Sequence, residues 1–173
     1  MNAIPKINQK IDYFLPPSAG AGWCQLQHPK TLIGLSRRRL TLNDVLKLID
    51  SRQIRWAWDI SRKGARRPEV RLWRDSVLAW LAREDGGPAA PADDRSLDQV
   101  INAILPRPDA LSRRAATLRS RDLQRRFLCS QMLIGRLIAG GDLCCVGGRR
   151  AGKSSVILYQ SAFEFLKRRT LSA

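Results

Sequence analysis

Ser130-Gln131-Met132-Leu133-Ile134-Gly135-Arg136-Leu137-Ile138-Ala139-Gly140-Gly141-Asp142-Leu143-Cys144-Cys145-Val146-Gly147-Gly148-Arg149 changes its hydrophobic period once along its length. Ile134, Leu137 and Ile138 recur at helical spacing, Ser130 is a residue type that caps a helix start, and Gly140-Gly141 ends the helix. Leu143 to Val146 then reads as a brief apolar strand and Gly147 to Lys153 as a basic, glycine-rich turn. Beyond it, Ser155 to Tyr159 is a returning strand, and Ser161 to Arg168 is a closing helix with Phe163 and Leu166 inward. Upstream, Asp122 to Phe127 is a short helix that Leu128-Cys129 breaks.

A short helix, a tight turn, a second helix and a two-stranded wing make the pattern of a winged helix-turn-helix. It occurs twice. Leu133 to Leu143 lines up with Asp44 to Ile54 at an offset of 89 residues. Val156-Ile157-Leu158-Tyr159 lines up with Val70-Arg71-Leu72-Trp73 at 86, and Phe163 to Lys167 with Leu78 to Ala82 at 85. In the first copy Thr41 caps a helix from Leu42 to Ile49, and the helix before it lies around Thr31 to Ser36. Ile54 to Ile60 is a strand, Arg62 to Pro68 the turn, Glu69 to Trp73 the return, and Asp75 caps a closing helix through Leu81. Recurrence at this period is one supersecondary design used twice. The expected fold is mainly α with small β wings, in two tandem winged helix-turn-helix modules joined by a linker.

Charge divides the 173-residue chain in the same places. Lys and Arg number 31 against 15 Asp and Glu, for a net charge of +16 and a pI near 11.1. Residues 1–83 carry 16 basic and 6 acidic groups, 84–111 carry 2 and 6, and 112–173 carry 13 and 3. With 44% apolar residues available for a core, this describes a folded polyanion binder rather than a disordered basic tail. The acidic stretch opens with Glu84-Asp85-Gly86-Gly87-Pro88, turn formers and like charges that read as a flexible tether. The expected boundaries are an N-terminal extension at 1–28, a first module at 29–83, an acidic and Pro-rich linker at 84–118, and a second module at 119–173. Leu97 to Leu105 and Ala110 to Leu118 look like short amphipathic helices within the linker. A 14-residue tether would reach on the order of 20 Å, enough for both modules to engage one duplex.

The second copy resembles the excisionase-type winged helix-turn-helix family, related to the DNA-binding heads of mercury-resistance-type regulators. The resemblance rests on Cys129-Ser130, Arg136-Leu137-Ile138, Gly141-Asp142-Leu143, Val146-Gly147-Gly148-Arg149 and Ala162-Phe163-Glu164-Phe165-Leu166, and covers about residues 119–168. It is partial over 31–83, where Arg52 stands in place of a glycine and the wing is longer. The resemblance implies that the second helix of each module enters a DNA major groove while the wing meets backbone or minor groove. The residues placed there are Thr41, Asn43, Asp44 and Lys47 in the first module and Ser130, Gln131, Met132 and Arg136 in the second. Arg bonds a guanine edge and Asn or Gln an adenine edge. On the wings, Arg62, Lys63, Arg66 and Arg67, and Arg149, Arg150 and Lys153, suit phosphate contact. The implied role is an excisionase-like architectural accessory to a recombinase on a mobile element or plasmid, or a transcriptional regulator. One alternative is an adaptor in which one module docks a protein partner and the other binds DNA; another is an RNA or single-strand binder.

Other motifs carry less. Gly147-Gly148-Arg149-Arg150-Ala151-Gly152-Lys153-Ser154 satisfies a phosphate-loop pattern, but β-branched Val156-Ile157 follow it where a helix belongs, and Glu164 is the one acidic residue after it. It reads as a wing. Cys24, Cys129, Cys144 and Cys145 read as small apolar residues; Cys144 and Cys145 are adjacent and lack the spacer that two zinc-bound thiolates need. His28 is the lone histidine, without a catalytic set around it. Trp56, Trp58, Trp73 and Trp80 alternate between core and outer sheet face, and any outward member is a candidate base-stacking surface. No enzyme, cofactor or metal is expected. The start MNAIPKINQKIDYFLPPSAG lacks an apolar signal core and no stretch is long enough to span a membrane, so the expectation is a cytoplasmic, nucleoid-associated protein without membrane contact.

Overall fold

The computed structural model describes residues 25–87, 94–105, 116–146 and 155–172. The phosphate-loop pattern, Arg149, Arg150 and Lys153, Cys24 and most of the Ala110 to Leu118 segment lie outside them. Half of the described residues are helical, and the strands form two small antiparallel sheets. The first repeat comprises β1 (Leu26–Gln27), α1 (Pro29–Leu35), α2 (Leu42–Asp50), β2 (Ala57–Asp59), β3 (Val70–Trp73) and α3 (Arg74–Glu84). Next comes α4 (Leu97–Ile104). The second repeat comprises β4 (Thr117–Arg119), α5 (Ser120–Phe127), α6 (Gln131–Ala139), β5 (Val156–Leu158) and α7 (Tyr159–Arg168), and a last strand, β6 (Thr170–Ser172), follows it.

The order of elements repeats, and so do their connections. In the first repeat β3 pairs with both β1 and β2; in the second β5 pairs with β4, and Cys145 bridges to Ile157 where β2 would lie. The expected strand from Leu143 to Val146 is thus reduced to one bridge among the described residues. The expected strand from Ile54 is shortened too. Between Ile54 and Trp56 the first repeat has one residue more than the second has between Leu143 and Cys144, judged by the matching bonds Trp73 N to Trp56 O and Leu158 N to Cys144 O. These bonds place Leu158, not the expected Tyr159, at the position of Trp73 in the repeat. Trp56 absorbs the extra residue in a left-handed conformation, φ 65°, which breaks the extended run.

Strand alternation decides how the repeats meet. Val70, Leu72 and Ala57 face α1, α2 and α3, in a core with Leu32, Val45, Ile49 and Leu81. The alternate residues Trp58 and Trp73, with Leu26, face the other way, into a larger core that holds Ile101, Phe127, Leu137, Ile157 and Phe165 of the following segments. Two indoles and a leucine on one sheet face are more apolar surface than a small unit leaves in water, and the second repeat covers it. β6 then pairs antiparallel with β2, extending the first sheet to the order β1-β3-β2-β6. The sheet of the first repeat is therefore an inner layer between two sets of helices.

The first acids of the stretch expected as a tether belong to the first repeat. Glu84 is the last residue of α3, and its carboxylate accepts hydrogen bonds from Ser36 Oγ (2.8 Å) and Arg37 N (3.1 Å), while Asp85 pairs with Arg37 at 2.5 Å. These acids close the first repeat instead of opening a linker. The amphipathic helix expected at Leu97 to Leu105 is α4, which buries Val100, Ile101 and Ile104 in the larger core and packs on α7 of the second repeat. Tyr159 donates its hydroxyl to Asn102 (3.0 Å), and Arg126 caps the end of α4 through Ile104 O (2.8 Å). Leu118, expected at a helix end, lies on β4. Asp75 is not a helix cap: α3 starts one residue earlier, directly from β3, and Asp75 pairs with Arg95 at 2.7 Å. All four tryptophans named above are buried, so none offers a stacking surface.

Candidate nucleic-acid interface

The two helices expected to read bases, α2 and α6, are built alike. Thr41 and Asp44 form a reciprocal cap: the Thr41 amide and hydroxyl donate to the Asp44 carboxylate (2.9 and 2.7 Å), and the Asp44 amide donates back to Thr41 Oγ1 (3.3 Å). The hydroxyl and then the amide of Thr41 hold the Asp44 carboxyl below its ordinary range. Ser130 accepts from Leu133 N at 3.2 Å in the second repeat. Thr41, Asp44 and Ser130 therefore serve the helix ends, and their polar atoms are committed there.

Past the helices the backbone repeats at the same offset of 89 residues. Gln53 N and Ile54 N donate to Leu48 O (2.9 and 3.0 Å), as Asp142 N and Leu143 N donate to Leu137 O (2.8 and 3.1 Å). The turn needs a residue at positive φ; Gly141 supplies it at 76° and Arg52 at 56°. Arg52, noted in the sequence only as a departure, is held in a conformation that a side chain resists.

Val45 and Ile49 on α2, and Ile134, Leu137 and Ile138 on α6, point into the two cores. The outward residues follow by rotation: Asn43 and Lys47 on α2, Met132 and Arg136 on α6, with Gln131 half-buried. Met132 is 63% exposed, large for a methionine, and Leu42 at the start of α2 is 45% exposed. Lys47 lies 3.8 Å from Asp44 across an open surface. Asn43 and Lys47 can donate to base edges, while α6 presents one guanidinium and one soft apolar side chain.

The wing between β2 and β3 is a closed loop. Asp59 Oδ1 accepts the amides of Ser61 (2.9 Å) and Glu69 (3.0 Å) at its base, and Ala65 N donates to Arg62 O (3.1 Å) across a tip with Gly64 at φ 76°. Arg62, Lys63, Arg66 and Arg67 are all exposed on it. The loop leans on the second repeat. Lys63 N approaches Asp142 Oδ2 at 3.5 Å, Arg169 pairs with Asp142 Oδ1 at 3.3 Å, and Asp59 N donates to Arg169 O at 3.0 Å. Sequence reasoning missed this group, since Lys63 and Asp142 are 79 residues apart and no local pattern joins them.

The corner that precedes α6 is held from the first repeat. Arg71, 2% exposed, donates from Nε to Phe127 O (2.7 Å), from Nη2 to Leu128 O (2.8 Å) and from Nη1 to Val70 O (2.7 Å). Leu128 ends α5 in the left-handed region, φ 48°. Burial and then the Arg71 charge lower the pKa of His28, although a bond to the Leu128 backbone works the other way. Burial pushes the neighbouring Cys129 thiol up to about 12. The sign of Arg71's role was visible in sequence: a charged residue at the outward position between Val70 and Leu72 needs acceptors on whatever covers that face.

Among the described residues no group of three or more His, Cys, Asp or Glu is placed to hold a metal ion, and no helix is long and apolar enough to cross a membrane. Compared with known protein families, curated proteins and solved structures, the chain matches none.

Proposed function

We propose that this chain binds double-stranded DNA through two winged helix-turn-helix modules, as an architectural accessory factor of the excisionase kind or as a transcriptional regulator. The observation that carries the reading is the repetition itself. Two helices with a hydroxyl cap at the same position, the same closing turn and the same buried stripe leave Asn43 and Lys47, and Met132 and Arg136, outward, in a chain of net charge +16. Asn43, Lys47 and Arg136 are the residue types that read base edges, and Arg62, Lys63, Arg66 and Arg67 suit phosphates. The exposed basic loop between β2 and β3 supplies a salt-dependent part of the affinity.

Affinity for random duplex, single strands and RNA over a salt series, followed by selection of preferred duplexes, tests it. Duplex preference with log Kd rising steeply with log salt, by about 0.9 per phosphate contacted, and an enriched site with two half-sites is the expected result. Preference for single strands or RNA refutes it.

A further inference from the structure

We infer that the wing of the first repeat serves the reading helix of the second, so that the DNA surface is a composite of the two repeats. This rests on duplex DNA as the partner. The C-terminal end of α6 is unfavourable to a phosphate on its own: its carbonyls carry the negative end of the helix dipole, and Asp142 adds a carboxylate. That carboxylate sits against the end of the helix, where a Cβ built on Gly140 would lie 3.1 Å from Arg136 O and 3.7 Å from Asp142 Oδ2. The wing meets the same oxygen through Lys63 N at 3.5 Å, and Arg169 neutralises the other oxygen at 3.3 Å. Arg62, Lys63, Arg66 and Arg67, against Glu69 alone, thus bring a net positive loop to the carboxylate-bearing end of α6, where they add to Arg136 and Arg169.

A helix lying in a major groove about 12 Å wide has its ends beside the phosphates that border the groove. A cationic loop fixed at the end of α6 therefore faces the backbone flanking the base pairs that Arg136 and Met132 meet. The loop cannot swing freely toward α2, because Asp59 fixes its base through Ser61 N and Glu69 N and also donates its own amide to Arg169 O.

Loss-of-contact footprinting of the full-length protein on its selected duplex tests this. Missing-base interference with Arg136→Ala and with Lys47→Ala marks the base pairs read by α6 and by α2. Ethylated-phosphate interference with Arg66→Gln/Arg67→Gln marks the phosphates held by the wing. The expected result places those phosphates within about half a helical turn, about 5 base pairs, of the Arg136 positions, with the salt slope reduced by about 2. Phosphates beside the Lys47 positions, or an unchanged pattern, overturn the inference while leaving duplex binding intact. Wild-type protein that does not prefer duplex overturns the function proposed above and this inference with it. Lys63→Gln alone, on an exposed loop, repeats the phosphate test should the double variant not fold.

Discussion

Replacing Arg71 by methionine removes a side chain of the first repeat that holds the α5–α6 corner of the second, and its cost can be worked from the contacts. Methionine keeps most of the alkyl stem, so packing changes little and the loss is polar. Phe127 O and Leu128 O lose charge-assisted donors at 2.7 and 2.8 Å. Carbonyls stripped of a partner in a buried setting cost about 1–3 kcal/mol each. Against this, the variant no longer desolvates a guanidinium that is 2% exposed, which returns part of the cost. The net expectation is a destabilisation of about 3 kcal/mol, or roughly 6–12 °C in Tm for a chain of this size. Arg71→Lys keeps the charge but not the three-way fork, and falls between. Glu69→Gln, whose carboxylate is half exposed and 3.5 Å from Arg71, changes little. Urea unfolding of the four proteins, followed by circular dichroism, is the measurement. Arg71→Met within about 0.5 kcal/mol of wild type would falsify the claim that this arginine joins the repeats.

Because the larger core contains residues of both repeats, calorimetry is expected to show one cooperative transition; two resolved transitions would contradict a shared core. Arg52→Gly relieves a left-handed residue and is expected to stabilise by about 0.5–1 kcal/mol, and Gly141→Ala, the equivalent turn, to destabilise by about 1 kcal/mol, both read by chemical denaturation. Native protein at pH 8 is expected to react with a thiol reagent at exposed Cys144 but not at Cys129, whose thiol burial pushes up to about 12; equal labelling in peptide maps would exclude that burial. His28 is held below its ordinary pKa, so the unfolded chain takes up a proton there before the folded one does. Its contribution is whole above the ordinary value near 6.5 and is lost as pH falls below it, a slope that His28→Gln should lack in unfolding measured from pH 7.5 to 5.

The helices were legible because their signals are local. Thr41 and Ser130 cap, Gly141 closes, and Val45, Ile49, Ile134 and Ile138 keep helical spacing, so α2 and α6 fall within a residue or two of their expected spans. The strands were less so, since Ala57–Asp59 is cut short by a bulge at Trp56 that no periodicity announces. The role of two acids was hidden for a different reason. Glu84 and Asp85 look like solvated linker acids, and only the distant Ser36 and Arg37 make them a clasp. The tryptophans held part of that information: Trp58 and Trp73 alternate with Ala57 and Leu72, so both faces of β2 and β3 carry large apolar residues, as an inner strand does. Of the candidate site, the outward residues Asn43, Lys47, Met132 and Arg136 follow from the buried stripe by rotation, whereas Lys63 beside Asp142 is a product of the fold.

Sharing a sheet changes what two modules on one chain can do. Two domains on a flexible tether gain avidity through an effective concentration that tolerates many half-site spacings, since the linker absorbs the difference. Here β6 pairs with β2, and Trp58 and Trp73 share one core with Phe127 and Phe165, so moving α6 relative to α2 means opening a core. On the duplex reading, such a pair is preorganised: little conformational entropy is lost on binding, and the cost of a wrong spacing falls on the DNA, which must bend or twist. Inserting 5 base pairs between selected half-sites, about half a helical turn, should therefore weaken binding strongly, while about 10 restores the face but not the distance. A tethered pair would tolerate both insertions, and a titration of the three duplexes separates the cases.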